Sequence, residues 1–476
     1  MLFNSALFAT FFIAVYSLYL VLNHKWQNRM LLVASYVFYG AWDWRFLSLI
    51  CASTILDYTC GLIIEQAKDA KRRKFFLFLS IFGNLLILGF FKYFNFFATN
   101  LQILLSKIGL SIQPQLLHII LPMGISFYTF QTMSYTIDIY RKEMKPTRKF
   151  FDFALFVAFF PQLVAGPIER AKHLLPQILY QRKVTLDRFY EGCYLILWGL
   201  FQKIFVADNL AKIVDPVFAS SGPYQGVQVI VSLYAFAFQI FCDFAGYSNI
   251  ARGLGKVMGF DIMINFRLPY FATNPREFWQ RWHISLSSWL RDYLYIPLGG
   301  NKKGVLKTYR NLAITMLLGG LWHGAAWTFI LWGAYQGLLL IMYRLFKPLL
   351  EKVPNPKSIL MKKVWFFIRV IFFFNLVCLG WLIFRAESLG QIFQMLRSIF
   401  FNFHIAHFVN LQDYGVKIVF YLCLLVMIQV IQYWKNDLMI IYKSNTVFRS
   451  FFYFILFVLI IIFGVTGGKE FIYFQF

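Results

Sequence analysis

Long apolar stretches, separated by short loops rich in lysine and arginine, constrain the fold of this chain more than any other feature. Several of these stretches reach the roughly 20 residues that an α-helix needs to cross a lipid bilayer. Only 14% of the 476 residues are charged and 59% are hydrophobic, which leaves too little polar surface for a soluble protein of this size. Backbone groups inside a bilayer must be satisfied within the protein, and helices do this most simply. The sequence therefore predicts an all-α polytopic membrane protein.

The net charge of +25 fits a membrane protein and does not indicate nucleic acid binding. Basic residues concentrate between the apolar stretches, and such loops face the cytoplasm. The loop 65–74, for example, carries five basic side chains and is predicted to be cytoplasmic. Following these loops along the chain predicts about eleven or twelve transmembrane helices with both termini outside the cytoplasm. The stretch 7–22 has no basic residue before it and no cleavage site after it, so it is predicted to be a retained span.

Residues 150–167 differ from a simple crossing helix. They contain Pro161 and the pair Gly166–Pro167, with basic residues on both sides. A broken backbone is tolerated at membrane depth only when protein or cavity water shields it. We therefore predict a re-entrant segment here. The chain shows no internal repeat, so residues 1–476 are predicted to form one integral-membrane domain.

Two later segments are predicted to carry the chemistry. Residues 252–310 contain no clean span and interleave tryptophans with basic residues, which is typical of helices at the cytoplasmic interface. Residues 311–346 must begin and end on the cytoplasmic side. They are predicted to form a hairpin of two short helices that folds back at about Trp327–Thr328.

The hairpin contains His323, a titratable residue at membrane depth. Such a residue is costly unless it has a partner or faces a cavity, which makes it a functional candidate. Gly320 and Gly324 flank it at the spacing that lets two helices approach closely, and Trp327 is predicted to share its face. Burial favours the uncharged imidazole, which can accept the proton of an attacking hydroxyl. His323 is therefore the predicted general base of a reaction chamber; the alternative is a structural histidine bonded to a neighbouring carbonyl.

The segment 274–304 supplies His283 and a set of basic side chains. Asn274 followed by Pro275 predicts a helix start. Basic side chains here are suited to hold a phosphate-bearing donor, although contact with anionic lipid headgroups is an equally good explanation. The loop 299–304 is glycine-rich but lacks the Walker spacing. The candidate substrate- or donor-binding residues are Arg276, Arg281, Trp282, Arg291 and Lys302, together with Asp243 and Gln336 from other segments of the chain.

Asp243 lies in an otherwise apolar stretch and needs a partner. It is predicted either to orient a catalytic imidazole or, as the favoured alternative, to pair with an arginine such as Arg252. Lys203 lies in another span and is assigned no chemistry. The six cysteines are scattered without metal-ligand spacing, so neither a metal site nor a bound cofactor is expected.

Several motifs together resemble one known family. The chain is similar over nearly its whole length to the membrane-bound O-acyltransferase family, and within it to the branch of alginate O-acetyltransferase membrane subunits. The motifs that carry this resemblance are Leu121–Phe130, Gln162–Ile168, Asp243–Ser248, Asn274–Gly304, Leu321–Phe329 and Phe471–Phe476.

The resemblance implies a ring of tilted helices around a central cavity, with His323 as the catalytic histidine and His283 as a second polar position of the site. It implies acetyl-CoA as a cytoplasmic donor substrate. It also implies a periplasmic partner, an SGNH-type or related acetyltransferase, that completes the transfer to a polysaccharide. Relatives often carry histidine where this chain has Gln336 and aspartate where it has Asn249. A proton relay through Gln336 is therefore not expected, since an amide cannot shuttle a proton.

The expected function is O-acetylation of a cell-envelope polysaccharide, such as alginate or peptidoglycan, by an enzyme embedded in the lipid of the bacterial inner membrane. One alternative is a D-alanyl transferase for teichoic acid, which takes its acyl group from a carrier protein. An alternative of another class is a transporter without acyl chemistry. Two equivalent halves with paired broken helices would favour a transporter, and the sequence shows no such symmetry.

Overall fold

The computed structural model describes residues 1–110, 116–164, 166–352, 356, 358–403, 412–465, 467 and 471–472. Regular structure within these residues is helical, which confirms the predicted all-α class. The first half contains α1 (Ala6–Val21), α2 (His24–Asp43), α3 (Leu47–Gln66), α4 (Ala70–Leu88), α5 (Phe94–Lys107), α6 (Ile125–Tyr140), α7 (Phe150–Ala158), α8 (Phe160–Leu163), α9 (Ala171–Leu179), α10 (Leu186–Leu200) and α11 (Asp208–Phe218). The second half contains α12 (Gly226–Val257), α13 (Pro275–Arg281), α14 (Ile284–Leu290), α15 (Val305–His323), α16 (Trp327–Leu350), α17 (Ile359–Arg385), α18 (Leu389–Phe401), α19 (Gln412–Lys435) and α20 (Thr446–Phe463). Short π-helical turns occur at Gly89–Tyr93, Phe201–Ala207 and Arg291–Tyr295.

Seven stretches of the described residues are long and apolar enough to cross a bilayer. The two longest, His24–Gln66 and Ala70–Lys107, each contain two helices. The chain is therefore a multi-pass membrane protein, as predicted. The number of eleven or twelve spans and the position of the termini stay predictions.

The chain forms two compact units. The first consists of Met1–Ile196 and Ile250–Met263, and the second of Leu197–Asn249 and Ile264–Phe476. In the first unit, α3 packs against α4 and α6, while α7 packs against α2 and α9. In the second unit, α15 packs along α16, and α16 packs against α17. Both candidate histidines belong to the second unit.

The predicted break in 150–167 is present between α7 and α8, where the helix is interrupted at Phe159. The interruption leaves the N–H group of Phe160 without a helical partner, and this N–H donates to the Ser35 hydroxyl over 3.1 Å. Gly124, with φ +72°, packs against the same segment, and a side chain there would bring Cβ to 2.5 Å from the Leu163 carbonyl oxygen. A glycine is thus required at position 124 both by its backbone conformation and by the close approach.

The predicted hairpin of 311–346 is also present, with bounds that differ from the prediction. α15 begins earlier, at Val305, and the chain turns at residues 324–326 rather than at Trp327–Thr328. Gly320 packs against Gly333 of α16, and any side chain there would collide with the facing backbone. Gly320 therefore permits the close helix contact that the sequence predicts. Gly324 does not lie on that face, since it follows the last helical residue in an extended conformation (φ −165°).

Candidate active site

His323 is the last residue of α15, at the closed end of the hairpin. Its imidazole is buried, with 5% of the residue exposed. Three aromatic rings meet it edge-to-face: Trp322 at 5.1 Å and 82°, Trp332 at 5.0 Å and 86°, and Phe384 at 5.3 Å and 79° between centroids and planes. These contacts fix the imidazole plane in an apolar surrounding. Trp327 does not share this face as predicted, because the helix ends at His323 and Trp327 is 53% exposed on the next helix.

His283 lies between α13 and α14 and is completely buried. Its backbone is in the left-handed region, with φ +43°. Its Nδ1 lies 3.2 Å from Oδ1 of Asn265, and the same oxygen accepts hydrogen bonds from the N–H and hydroxyl of Ser285. Since that oxygen is an acceptor, Nδ1 carries the proton. Burial lowers the pKa of His283 to about 3, so the ring is neutral at physiological pH.

Trp322 lies between the two histidines. Its ring centroid is 6.0 Å from that of His283 and 5.1 Å from that of His323. On its other side, His283 meets the Phe244 ring edge-to-face at 4.7 Å. The structure therefore brings both predicted catalytic residues into one aromatic cluster, on either side of a single indole.

Two of the predicted donor-binding arginines are ion-paired close to their own position in the chain. Arg281 pairs with Glu277 at 2.8 Å, one helical turn before it. Arg291 makes two hydrogen bonds to the neighbouring Asp292 while remaining largely exposed. Donor binding by these residues stays a prediction, and it would require the guanidinium groups to serve two partners.

The remaining candidates of this segment divide between surface and core. Arg276 and Lys302 are exposed cations. Trp282, in contrast, is 1% exposed, stacks on Phe278 at 5.6 Å and contacts Trp381 at 4.7 Å. Its indole is thus part of the core that supports the histidines, and its role in donor binding stays a prediction.

Asp243 forms a buried ion pair with Lys203 at 2.6 Å, and Lys203 also pairs with Asp208 at 2.8 Å. The second carboxylate oxygen of Asp243 accepts the backbone N–H of Ile472 at 2.8 Å. The predicted pairing with Arg252 is wrong, since Asp243 forms its ion pair with Lys203. Asp243 thus belongs to a buried charge cluster and also holds the backbone at Ile472.

Gln336 is buried and lies one helical turn after Trp332 on α16. It faces Gly380 of α17, where a Cβ atom would come to 2.8 Å from the Gln336 amide nitrogen. The close contact between these helices therefore depends on the glycine. The structure places Gln336 in the wall that also carries Trp332, which contacts His323.

The sequence did not predict the contacts of Asn265, Lys203 and Phe384. Asn265 lies eighteen positions before His283, and no short motif connects the two. Lys203 and Asp208 come together because the π-helical turn Phe201–Ala207 links residues five apart, with the Asp208 N–H donating to the Lys203 carbonyl. No group of three or more His, Cys, Asp or Glu side chains that could hold a metal ion occurs among the described residues.

Comparison with known proteins supports the resemblance noted in the sequence. Residues 84–383 match the model of the MBOAT, membrane-bound O-acyltransferase family. A protein from Pseudomonas putida named probable alginate O-acetylase AlgI is 45% identical over 406 residues, which cover 84% of this chain and 80% of that protein. The peptidoglycan O-acetyltransferase of Helicobacter pylori is 35% identical over 433 residues, covering 84% of this chain and 80% of that protein. The teichoic acid D-alanyltransferase of Bacillus subtilis is 28% identical over 277 residues, or 56% of this chain and 69% of that protein.

Proposed function

Because this chain belongs to the membrane-bound O-acyltransferase family, we propose that it transfers an acetyl group from a cytoplasmic thioester to a polysaccharide of the bacterial cell envelope. The proposed donor is acetyl-CoA, used as a substrate. The similarity of this chain to proteins named for alginate and peptidoglycan O-acetylation supports acetyl as the transferred group and a sugar hydroxyl as the acceptor.

The position of His323 is the observation that carries this proposal. Its imidazole is buried at the end of the hairpin and is held by three aromatic rings. A neutral imidazole takes the proton of the attacking hydroxyl as its oxygen bonds to the thioester carbon. When the tetrahedral intermediate collapses, the thiolate leaves and receives that proton from His323.

His283 is assigned a positioning role. Its ring contacts Trp322, and Trp322 in turn contacts His323. Asn265 holds its Nδ1–H, so its ring has one fixed orientation. A rigid His283 fixes the indole against which the catalytic imidazole rests.

The donor's phosphates are proposed to bind at the exposed cations Arg276 and Lys302 on the cytoplasmic side. The protein is proposed to lie in the inner membrane with both termini in the periplasm. A periplasmic SGNH-type or related acetyltransferase is proposed as the partner that completes the transfer to the polysaccharide. Cysteine labelling near each terminus in intact cells tests the topology, and co-purification of the partner with the full chain tests the complex.

The central test compares His323→Ala with His118→Ala, a change of the same kind at an exposed histidine. We expect His323→Ala to lower acetyl-CoA turnover by roughly 10²- to 10⁴-fold, because general base catalysis contributes about that much. Membrane insertion should stay as in the unsubstituted protein, turnover is compared per folded molecule because the lost ring leaves a cavity, and His118→Ala should retain full turnover. Polysaccharide acetylation that persists in His323→Ala would contradict the proposal.

The donor is tested with three thioesters offered to the purified chain: acetyl-CoA, acetyl carrier protein and D-alanyl carrier protein. Release of free thiol from acetyl-CoA supports the proposed donor. Turnover with D-alanyl carrier protein alone would instead identify a D-alanyl transferase. The similarity of this chain to a teichoic acid D-alanyltransferase is lower than its similarity to the O-acetylating proteins.

A further inference from the structure

Two stacked indoles next to the candidate base carry N–H groups that have no hydrogen-bond acceptor among the described residues. The Nε1 atoms of Trp332 and Trp381 are buried, and none of the described residues accepts a hydrogen bond from them. Both residues are only 1% exposed, so solvent at the protein surface does not supply the acceptor either. Buried donors without a partner are rare in folded proteins, and each one calls for an explanation.

One of the two indoles contacts the candidate base, and the other packs against the first. The Trp332 ring is 5.0 Å from the imidazole of His323, and Trp381 stacks on Trp332 with centroids 6.3 Å apart and planes at 18°. In a near-parallel stack neither N–H points at the other ring, so the pair does not satisfy itself. Trp279 also has a buried N–H, but its ring meets Trp332 at 75° and 5.9 Å, a geometry that allows an N–H contact with the ring face.

The pair is held rigidly by the surrounding helices. Trp381 packs against Trp282 at 4.7 Å and against Phe384 at 5.7 Å. The two helices that carry the pair are tied by the Tyr335 hydroxyl, which donates to the Leu376 carbonyl over 2.8 Å. Donors fixed in this way need no reorganisation when charge develops near them.

We propose that the N–H groups of Trp332 and Trp381 bind the carbonyl oxygen of the donor thioester and stabilise the oxyanion that forms there. This inference rests on the proposed function. The hydroxyl oxygen of the acceptor bonds to the carbonyl carbon, its proton passes to His323, and the π electron pair of the carbonyl moves onto the oxygen held by the indoles. When the electron pair on the oxygen re-forms the carbonyl double bond, the carbon–sulfur bond breaks and the thiolate takes the proton from His323.

The ligand is thus the acyl oxygen, which acetyl-CoA and an acetyl carrier protein share. A carbonyl oxygen has two lone pairs and can receive both N–H groups. Oxyanion stabilisation strengthens in the transition state, so it raises kcat more than it lowers KM. This distinguishes it from a residue that merely shapes the binding site.

The test replaces each tryptophan with 3-benzothienylalanine, in which sulfur takes the place of the indole N–H and the bicyclic ring is kept. At position 332 we expect kcat for acetyl transfer to fall by roughly 100-fold, with the KM for acetyl-CoA nearly unchanged. Position 381 should show a smaller loss of the same kind. The loss should be equal with acetyl-CoA and with acetyl carrier protein, whichever donors the unsubstituted protein accepts.

Trp198 provides the matched control. It is buried in the same unit and stacks on Phe201 at 5.2 Å, outside the cluster around His323. The same replacement there should leave kcat unchanged. Full kcat in the position-332 isostere would overturn the inference, as would a rise in KM alone. An unsubstituted protein without thioester turnover would instead refute the proposed function, so the two failures are distinguishable.

Discussion

Two regions of the molecule, one in each unit, treat their buried polar groups differently. In the first unit, the fully buried carboxylate of Asp57 accepts hydrogen bonds from the Ser80 hydroxyl at 2.5 Å and the Asn84 amide at 2.8 Å. Ser80 and Asn84 are themselves hydrogen-bonded to hydroxyl groups of α3 and α6. In the second unit, the wall beside His323 is aromatic and presents the buried N–H groups of Trp332 and Trp381 without acceptors in the described residues.

This difference separates polar groups that stabilise the fold from polar groups that are available to a ligand. A closed network such as that of Asp57 already has its partners, so its members stabilise the helix packing and have little left to offer a ligand. A buried donor without an acceptor destabilises the protein until an acceptor arrives. The contrast leads to the expectation that changes in closed networks lower stability, whereas changes beside His323 lower the rate.

The largest effect on stability is expected at Lys203, which tests whether closed charge clusters of the second unit are structural as well. Lys203→Met leaves the buried carboxylates of Asp208 and Asp243 without their shared cation. We expect a loss of about 3–5 kcal/mol in the free energy of unfolding, because an uncompensated buried charge remains. Chemical denaturation of the two purified proteins in detergent measures this change in the free energy of unfolding.

The control for this change is Lys212→Met on the exposed face of α11, where the unfolding free energy should change by less than about 0.5 kcal/mol. Adding Asp243→Asn to Lys203→Met should recover part of the loss, since one of the two negative charges is then removed. Stability in Lys203→Met equal to that of the unsubstituted protein would show that the cluster does not hold the fold.

A smaller loss is expected at Asp57. Asp57→Ala leaves the Ser80 hydroxyl and the Asn84 amide with an unfilled bond at membrane depth, which should cost about 1–3 kcal/mol of unfolding free energy. Asp57→Asn keeps the shape and one acceptor oxygen, and it should retain most of the stability. Acetyl transfer per folded molecule should be unchanged in both variants. A fall in kcat at constant stability would place Asp57 in the chemistry and would break the contrast between the units.

The sequence predicted the outline of the fold, and it indicated His323 as a candidate, for physical reasons. Apolar length and basic loops determine where helices cross, and a histidine at membrane depth is expensive enough to be noticed. The hairpin was predicted because its ends had to lie on one side. Its turn was misplaced by a few residues, since the helix ends at His323 rather than continuing to Trp327.

The surroundings of the histidines could not be predicted in the same way. Phe384 and Trp381 lie on α17, and their contacts with His323 and Trp332 depend on how α16 and α17 pack. The pairing of Lys203 with Asp208 required knowledge of a π-helical turn, which no periodicity of apolar residues reveals. Packing between helices distant in sequence therefore determines the site, while local pattern determines the helices.

The smallest effect is expected where a polar contact is partly open to water. His173 lies 2.7 Å from the buried carboxylate of Glu169, which also accepts the N–H of Met263. The hydrogen bond to Glu169, opposed by burial, raises the pKa of His173 above its ordinary 6.5, and the charge of Asp261 adds to this. The protonated ring therefore stabilises the folded state fully below pH 6.5, and this stabilisation is lost as pH rises through the higher folded pKa.

The predicted gain is small, because the His173 side chain is 47% exposed and water screens the pair. Thermal unfolding of the unsubstituted protein and of His173→Gln, compared at pH 5.5, 7 and 8.5, should differ by less than about 1 kcal/mol at the lowest pH and less still at the highest. A difference of several kcal/mol would show that exposure does not weaken such a contact here. If the stability difference between the two proteins is the same at every pH, the charge on His173 does not contribute to stability. The contact would then differ from the Asp57 network only in how deeply it is buried.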